Sequence, residues 1–207
     1  MRRRHFIAAG LAAAYAGTAF AAPATVLVVG DSLSAEYGLK RGSGWVSLME
    51  RKLADDKVDA RVVNASISGD TTSGGRSRLA PLLAQHKPTH VVIELGGNDA
   101  LRGLPLEMTQ ANLASMVQAA QKAGARVLLV GIQLPPNYGA DYGNRFAAIY
   151  EKVAREHQAA VVPFLLKGVA DIEDAPRFFQ SDRIHPNEQA QERMLANVWP
   201  ELRKLLR

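Results

Sequence analysis

Thr25-Val26-Leu27-Val28-Val29 runs without a polar interruption beyond its first residue and ends in Gly30-Asp31-Ser32. A short run apolar on both faces, closed by glycine, reads as a strand buried on both sides in a parallel sheet. Four further runs read the same way along the chain: Val58 to Ala65, Val91 to Leu95, Val127 to Val130 and Ala160 to Val162. Between them lie longer segments of helical pattern, over 44–54, 75–86, 109–123, 142–158 and 187–206. Thr109 stands where an N-cap is expected, and Gly124 where a left-handed residue ends a helix. Asn187 followed by Glu188 opens the last helix. Strand and helix in strict alternation imply a parallel sheet covered on both faces, joined by right-handed crossovers. The expectation is one three-layer α/β/α domain around a five-stranded parallel sheet.

The first residues stand apart from this pattern. Arg2, Arg3 and Arg4 precede an uncharged, alanine-rich apolar run from Phe6 to Ala19, and Ala19-Phe20-Ala21 supplies a small-x-small cleavage pattern. This is the layout of a secretory signal. The apolar run is shorter and weaker than the roughly 20 residues a spanning helix requires. Cleavage after Ala21 is expected, leaving a domain over 22–207 that is periplasmic or secreted and has no membrane anchor. Arg3-Arg4-His5-Phe6-Ile7 also resembles a twin-arginine signal, so the export route stays open.

Loss of the signal removes three arginines and lowers the formal charge from +5 to about +2. The basicity therefore belongs largely to targeting. No basic face interleaved with aromatics is present, which argues against a nucleic-acid partner. With no cysteine in 207 residues, disulfides and a lipoprotein anchor are excluded, and stability must come from the core, which a domain of this size can supply.

In an open parallel sheet, ligands bind outside the carboxyl ends of the strands. Unusual sequences follow three of them: Gly30-Asp31-Ser32-Leu33-Ser34, Ser66-Ile67-Ser68-Gly69-Asp70-Thr71 and Gly96-Gly97-Asn98-Asp99. Ser32 is a candidate nucleophile, but a serine hydroxyl needs a base. Of five histidines, only His185 has an acid three residues before it, Asp182. That spacing sets carboxylate and imidazole side by side, and Pro186 suits the first turn of the following helix. Acyl transfer also requires donors aimed at a developing oxyanion. Gly69 offers a backbone N–H without a side chain in the way, and Asn98 offers a side-chain amide.

The ordered blocks G-D-S-L-S at 30–34, S-G-D-T around Gly69, G-G-N-D at 96–99 and D-x-x-H-P-N at 182–187 resemble the SGNH (GDSL) hydrolases, closest to their bacterial thioesterase, lysophospholipase and arylesterase branch. The resemblance covers nearly all of the chain after the signal. It implies a flavodoxin-like sheet, Ser32 as nucleophile, Asp182 and His185 as its partners, and an oxyanion hole of Ser32 N–H, Gly69 N–H and Asn98. The G-x-S-x-G elbow of ordinary α/β-hydrolases is absent, since Ser34 occupies its second glycine. No metal site or cofactor is implied.

Two loops, 100–108 and 133–142, are expected to line an acyl groove through Leu101, Leu104, Leu106, Leu134 and Tyr138, and the family resemblance implies that the first loop moves on binding. The expected partner is a small acyl ester or lysophospholipid, and the expected state a monomer. A carbohydrate O-acetyl esterase and a non-catalytic lipid-binding module are the alternative functions on the same fold.

Overall fold

The computed structural model describes residues 23–207; the expected signal segment, 1–21, lies outside the described residues. Strand β1 (Ala24–Gly30) is wholly buried from Val26 to Val29, because it is flanked on both edges and covered on both faces. It pairs in parallel with β2 (Ala60–Asn64) on one side and β3 (His90–Glu94) on the other. β4 (Arg126–Val130) and β5 (Ala160–Val162) extend the sheet, again in parallel, to give the order β2-β1-β3-β4-β5. This is the flavodoxin-like order, with its topological switch point between β1 and β3. The edge strand β2 is shorter than the 58–65 expected and only half-buried.

Helix α1 (Trp45–Asp55) packs with α6 (Glu188–Leu205) on one face, while α2 (Thr72–His86), α4 (Leu106–Lys122) and α5 (Ala140–Glu156) pack together on the other. A five-residue helix α3 (Gly97–Leu101) follows β3 directly.

Several helix starts differ from expectation. α2 begins at Thr72, three residues early, because Thr71 caps it: its side chain accepts from the Gly74 N–H. α4 begins at Leu106 after Pro105, so Thr109 is an interior, fully buried position rather than a cap. Leu106, Leu113, Met116, Val117 and Ala120 form its buried stripe at helical spacing. Leu106 therefore belongs to the core and not to an exposed loop. Asn187 does cap α6, its side chain accepting from the Gln189 N–H at 3.0 Å. Pro186 precedes that cap and pairs across an isolated antiparallel bridge with Phe179, outside the helix.

Among the described residues no helix is long and apolar enough to cross a membrane.

Candidate active site

The parallel register sets Gly30 opposite Glu94, so the turn after β1 and the segment after β3 leave the sheet side by side. In the first, the Asp31 carbonyl accepts from the N–H groups of Ser34 (3.2 Å) and Ala35 (2.9 Å), and Asp31 Oδ1 accepts from the Leu33 N–H (3.0 Å). This winds the chain tightly and leaves the Ser32 N–H with no acceptor among the described residues. Gly30 permits the turn, since a Cβ there would stand 2.7–2.9 Å from Ser34 and from Glu94 Oε2.

The Ser32 hydroxyl meets the His185 ring, with Oγ 2.9 Å from Nε2. On the far side of the ring, Nδ1 lies 2.7 Å from Asp182 Oδ2. The other oxygen, Oδ1, accepts the backbone N–H groups of Ile184 (2.9 Å) and His185 (3.0 Å). Asp182 and His185 thus meet across an irregular loop wrapped around the carboxylate, with Arg183 at φ +58°, rather than in helical register. The His185 backbone N–H, then the His185 ring and the Ile184 N–H, hold the Asp182 carboxyl down at about 2. Tyr37 packs against the imidazole, ring centroids 4.3 Å apart and planes inclined at 40°.

Gly69 sits in a turn between β2 and α2, tied to β1 by the Ile67 N–H, which donates to the Gly30 carbonyl at 3.0 Å. Its φ is +79°. A Cβ at Gly69 would find only the Arg102 guanidinium, 3.8 Å away, so glycine is required here for conformation and not for space. The Gly69 N–H, like that of Ser32, has no acceptor among the described residues.

Asn98 stands in the first turn of α3. Both of its amide hydrogens are engaged: Nδ2 lies 3.0 Å from Asp31 Oδ2 and 3.0 Å from the Asp70 carbonyl. Since both neighbours are acceptors, the amide nitrogen must face them. Its neighbour Asp99 is buried and anchors α3, accepting from the Thr72 N–H (2.8 Å) and hydroxyl (2.5 Å). Arg102 closes the edge by donating to the Gly69 carbonyl at 2.9 Å.

Sequence reasoning missed the layer beneath. Asp31 is 3 % exposed and Glu94 fully buried. Burial pushes the Asp31 carboxyl up to about 6. Burial, followed by the charge of Asp31, raises the Glu94 carboxyl well above the usual range. The signal was available: Glu94 is the one charged residue in Val91-Val92-Ile93-Glu94-Leu95.

Of the expected groove residues, Leu101 and Tyr138 are exposed (41 % and 38 %), whereas Leu104 is half-buried and Leu134 packs half-buried on the core. The Tyr142 hydroxyl donates to the Ala100 carbonyl at 3.3 Å and joins the two loops. The cleft between α4 and α5, lined by Leu106, Glu107, Arg145 and Lys152, contains none of the catalytic candidates. Among the described residues, no His, Asp and Glu cluster is arranged to hold a metal ion.

A flavodoxin-like domain with a Ser–His–Asp hydrogen-bonded chain at its switch point has the arrangement of a serine hydrolase. Residues 28–193 match the GDSL-like lipase/acylhydrolase family. The chain is 55 % identical over 186 residues to an esterase, TesA, of Pseudomonas aeruginosa, covering 90 % of this chain and 91 % of that one. It is 43 % identical over 171 residues to the thioesterase 1/protease 1/lysophospholipase L1 of Escherichia coli, covering 83 % and 79 %. The crystal structure of a psychrotrophic esterase, EstA, from Pseudoalteromonas, inhibited by monoethylphosphonate, superposes with a TM-score of 0.82 at 39 % identity, over 88 % and 98 % of the two chains. The protein belongs to the GDSL-like lipase/acylhydrolase family.

Proposed function

We propose that the enzyme cleaves acyl esters, lysophospholipids and related thioesters among them, through an acyl-Ser32 intermediate. The observation that carries this reading is the unbroken chain from Ser32 Oγ to His185 Nε2 (2.9 Å) and from His185 Nδ1 to Asp182 Oδ2 (2.7 Å). Neutral His185 takes the Ser32 proton as Oγ attacks the acyl carbonyl, and Asp182 holds the ring with its proton on Nδ1. The carbonyl oxygen, now negative, is received by the N–H groups of Ser32 and Gly69 and by the Asn98 amide. His185 then hands its proton to the departing oxygen or sulfur. Water, activated by the same ring, releases the acid and restores Ser32.

The acyl chain lies along the edge formed by Leu101, Leu104, Leu134 and Tyr138. The names of the relatives support the breadth of the substrate class. The enzyme acts after export, the segment 1–21 being removed; N-terminal sequencing of the exported protein is expected to begin at Ala22, and a retained Met1 would refute this.

A fluorophosphonate is expected to modify Ser32 stoichiometrically and to leave Ser32→Ala untouched. An unmodified native enzyme would sink the serine mechanism. Esters from acetate to palmitate, assayed beside a lysophospholipid and a thioester, then locate the preferred substrate.

A further inference from the structure

Asp31 and Glu94 lie directly beneath Ser32 and Asn98, and the reaction as proposed uses neither. Glu94 sits opposite Gly30 in the sheet, so its carboxyl comes up beside that of Asp31, within reach of a shared hydrogen bond. One is 3 % exposed and the other fully buried. Among the described residues neither forms a salt bridge, and the Arg78 guanidinium is taken up by the Gly30 and Ala65 carbonyls and by Asp70. Two adjoining negative charges without a counter-ion are untenable in such a place, so one proton must remain.

The donors decide which oxygen keeps it. Asp31 receives the Asn98 amide and the Leu33 N–H, both at 3.0 Å. Glu94 receives the Ser34 hydroxyl at 2.7 Å and a long contact from the Asp31 N–H at 3.4 Å, and its Oε1 is buried without any partner. A buried carboxylate oxygen that no donor reaches is costly, and protonation of Glu94 removes the charge from it, whereas Asp31 has two donors to support a charge. The charge therefore belongs on Asp31 and the proton on Glu94.

We propose that Asp31 and Glu94 form a buried acid pair holding a single proton, and that the ionised Asp31 is a positioning residue that fixes the Asn98 amide for the oxyanion. Two acceptors, the Asp31 carboxylate and the Asp70 carbonyl, each 3.0 Å from Nδ2, hold the Asn98 amide with its nitrogen towards them. A carboxylate on Asp31 accepts only, so it admits only the N–H side and keeps the second hydrogen directed at the Asp70 carbonyl. A protonated Asp31 could instead donate to the Asn98 oxygen, reversing the amide and removing a donor from the site. The pair thus couples oxyanion binding to the ionisation of a residue that never meets substrate. The inference rests on the oxyanion role proposed for Asn98.

The groups facing the pair are Asp70 and Arg78 from α2 and the turn before it, Asp99 from α3, Tyr150 from α5 and His185 from the loop before α6. His185 favours ionised Asp31 and Asp70 opposes it. Catalysis then requires two deprotonated groups, His185 and Asp31. The acid limb of log kcat/KM is expected to steepen towards a slope of 2 in the native enzyme and to have a slope of 1 in Asp31→Asn.

Asp31→Asn is expected to lower kcat at least 30-fold with KM within threefold. Glu94→Gln, a neutral hydrogen-bonding replacement, is expected to keep at least a third of kcat and the steep acid limb. In the native enzyme carrying ¹³C-labelled glutamate carboxyls, one resonance is expected to report a protonated acid at pH 8 and to vanish in Glu94→Gln. Should Asp31→Asn fail to fold by circular dichroism, the carboxyl spectrum and the Glu94→Gln profile decide alone. Full ionisation of every glutamate at pH 8, a kcat for folded Asp31→Asn within twofold of native, or a Glu94→Gln loss as deep as that of Asp31→Asn would each overturn the proposal. Labelling of Ser32 by a fluorophosphonate separates the two levels: labelled enzyme with ordinary carboxyls refutes the acid pair alone, and unlabelled enzyme refutes the serine mechanism beneath it.

Discussion

Asp182→Asn replaces a carboxylate by a side chain of the same shape, and the hydrogen bonds around it predict which way the new group turns. Oδ1 accepts two backbone N–H groups, at 2.9 and 3.0 Å, and Oδ2 accepts Nδ1 of His185 at 2.7 Å. A carboxamide has one oxygen. If it takes the Oδ1 place, both backbone bonds survive and the NH₂ faces Nδ1, which must then give up its proton. The imidazole becomes the Nε2–H tautomer and points a donor at Ser32, so it cannot act as base. If the amide turns over, the correct tautomer is kept, but the NH₂ opposes two N–H donors. Each lost bond to a charged acceptor is worth about 1.5–3 kcal/mol, softened here because the Asp182 side chain is 36 % exposed. The first orientation wins, and the neutral amide also ceases to stabilise the imidazolium. The expected loss is about 10⁴ in kcat, roughly 5 kcal/mol of transition-state stabilisation, with folding intact. The assay is kcat for p-nitrophenyl butyrate at pH 8, with ¹⁵N spectra of the His185 ring to identify the tautomer. Turnover within tenfold of native, or an Nδ1–H tautomer in the variant, would refute the reasoning.

Asn98→Ala removes one oxyanion donor and is expected to cost on the order of 10²–10³ in kcat with KM preserved; near-native turnover in a steady-state assay would remove Asn98 from the site. Gly69→Ala forces a side chain onto φ +79° with open space around it, so it is expected to cost about 1–2 kcal/mol in urea unfolding; no loss of stability would mean the turn relaxes. Stability has opposing acid responses. Asp182, held below its ordinary value, contributes stability above about 3.8 that disappears as pH falls through about 2. Asp31, raised to about 6, contributes stability that is full below 3.8 and lost as pH rises through 6. The melting temperature is therefore expected to lose an Asp31 contribution between about pH 4 and pH 6, and this loss is expected to be absent in Asp31→Asn; equal slopes in the two proteins over that range would contradict the burial of an ionised Asp31.

The strands could be read from sequence because burial on both faces leaves an unbroken apolar run, as in Val26 to Val29 and Leu128 to Val130. Helix starts were less legible, because a cap is chosen by tertiary contacts. Thr71 and Thr109 both stand near a helix start, yet one caps and the other is sealed in the core behind Pro105. Asp182 and His185 were paired by a spacing borrowed from helices, although the segment is a loop folded around the carboxylate; proximity in sequence sufficed where geometry was misjudged. The Asp31–Glu94 layer went unread since an acid inside an apolar strand cannot be told from an outward-facing one until the sheet is seen to be covered on both sides.

The chain of Ser32, His185 and Asp182 joins segments 153 residues apart, and the loop carrying His185 lies outside the sheet. What registers that loop against the Ser32 turn is a small set of polar ties. The Gln180 N–H donates to the His185 carbonyl at 2.8 Å. The Gln180 side-chain amide donates to the Tyr37 carbonyl at 2.8 Å and to Pro186 at 3.2 Å, and its oxygen occupies the space that a Cβ on Gly38 would take. Below, buried Gln191 accepts from the Trp45 N–H at 3.0 Å and donates to the Asn187 carbonyl at 3.1 Å, so the start of α6 is fixed to the start of α1. Each tie ends on backbone, which cannot swing away as a side chain can. The Tyr37 ring then closes on the imidazole from the segment that Gln180 holds. The proton transfer proposed between Ser32 and His185 is thereby referred to the β1–β3 switch point rather than to the loop's own stiffness, and this allows the Asp182 loop to remain exposed without losing its aim.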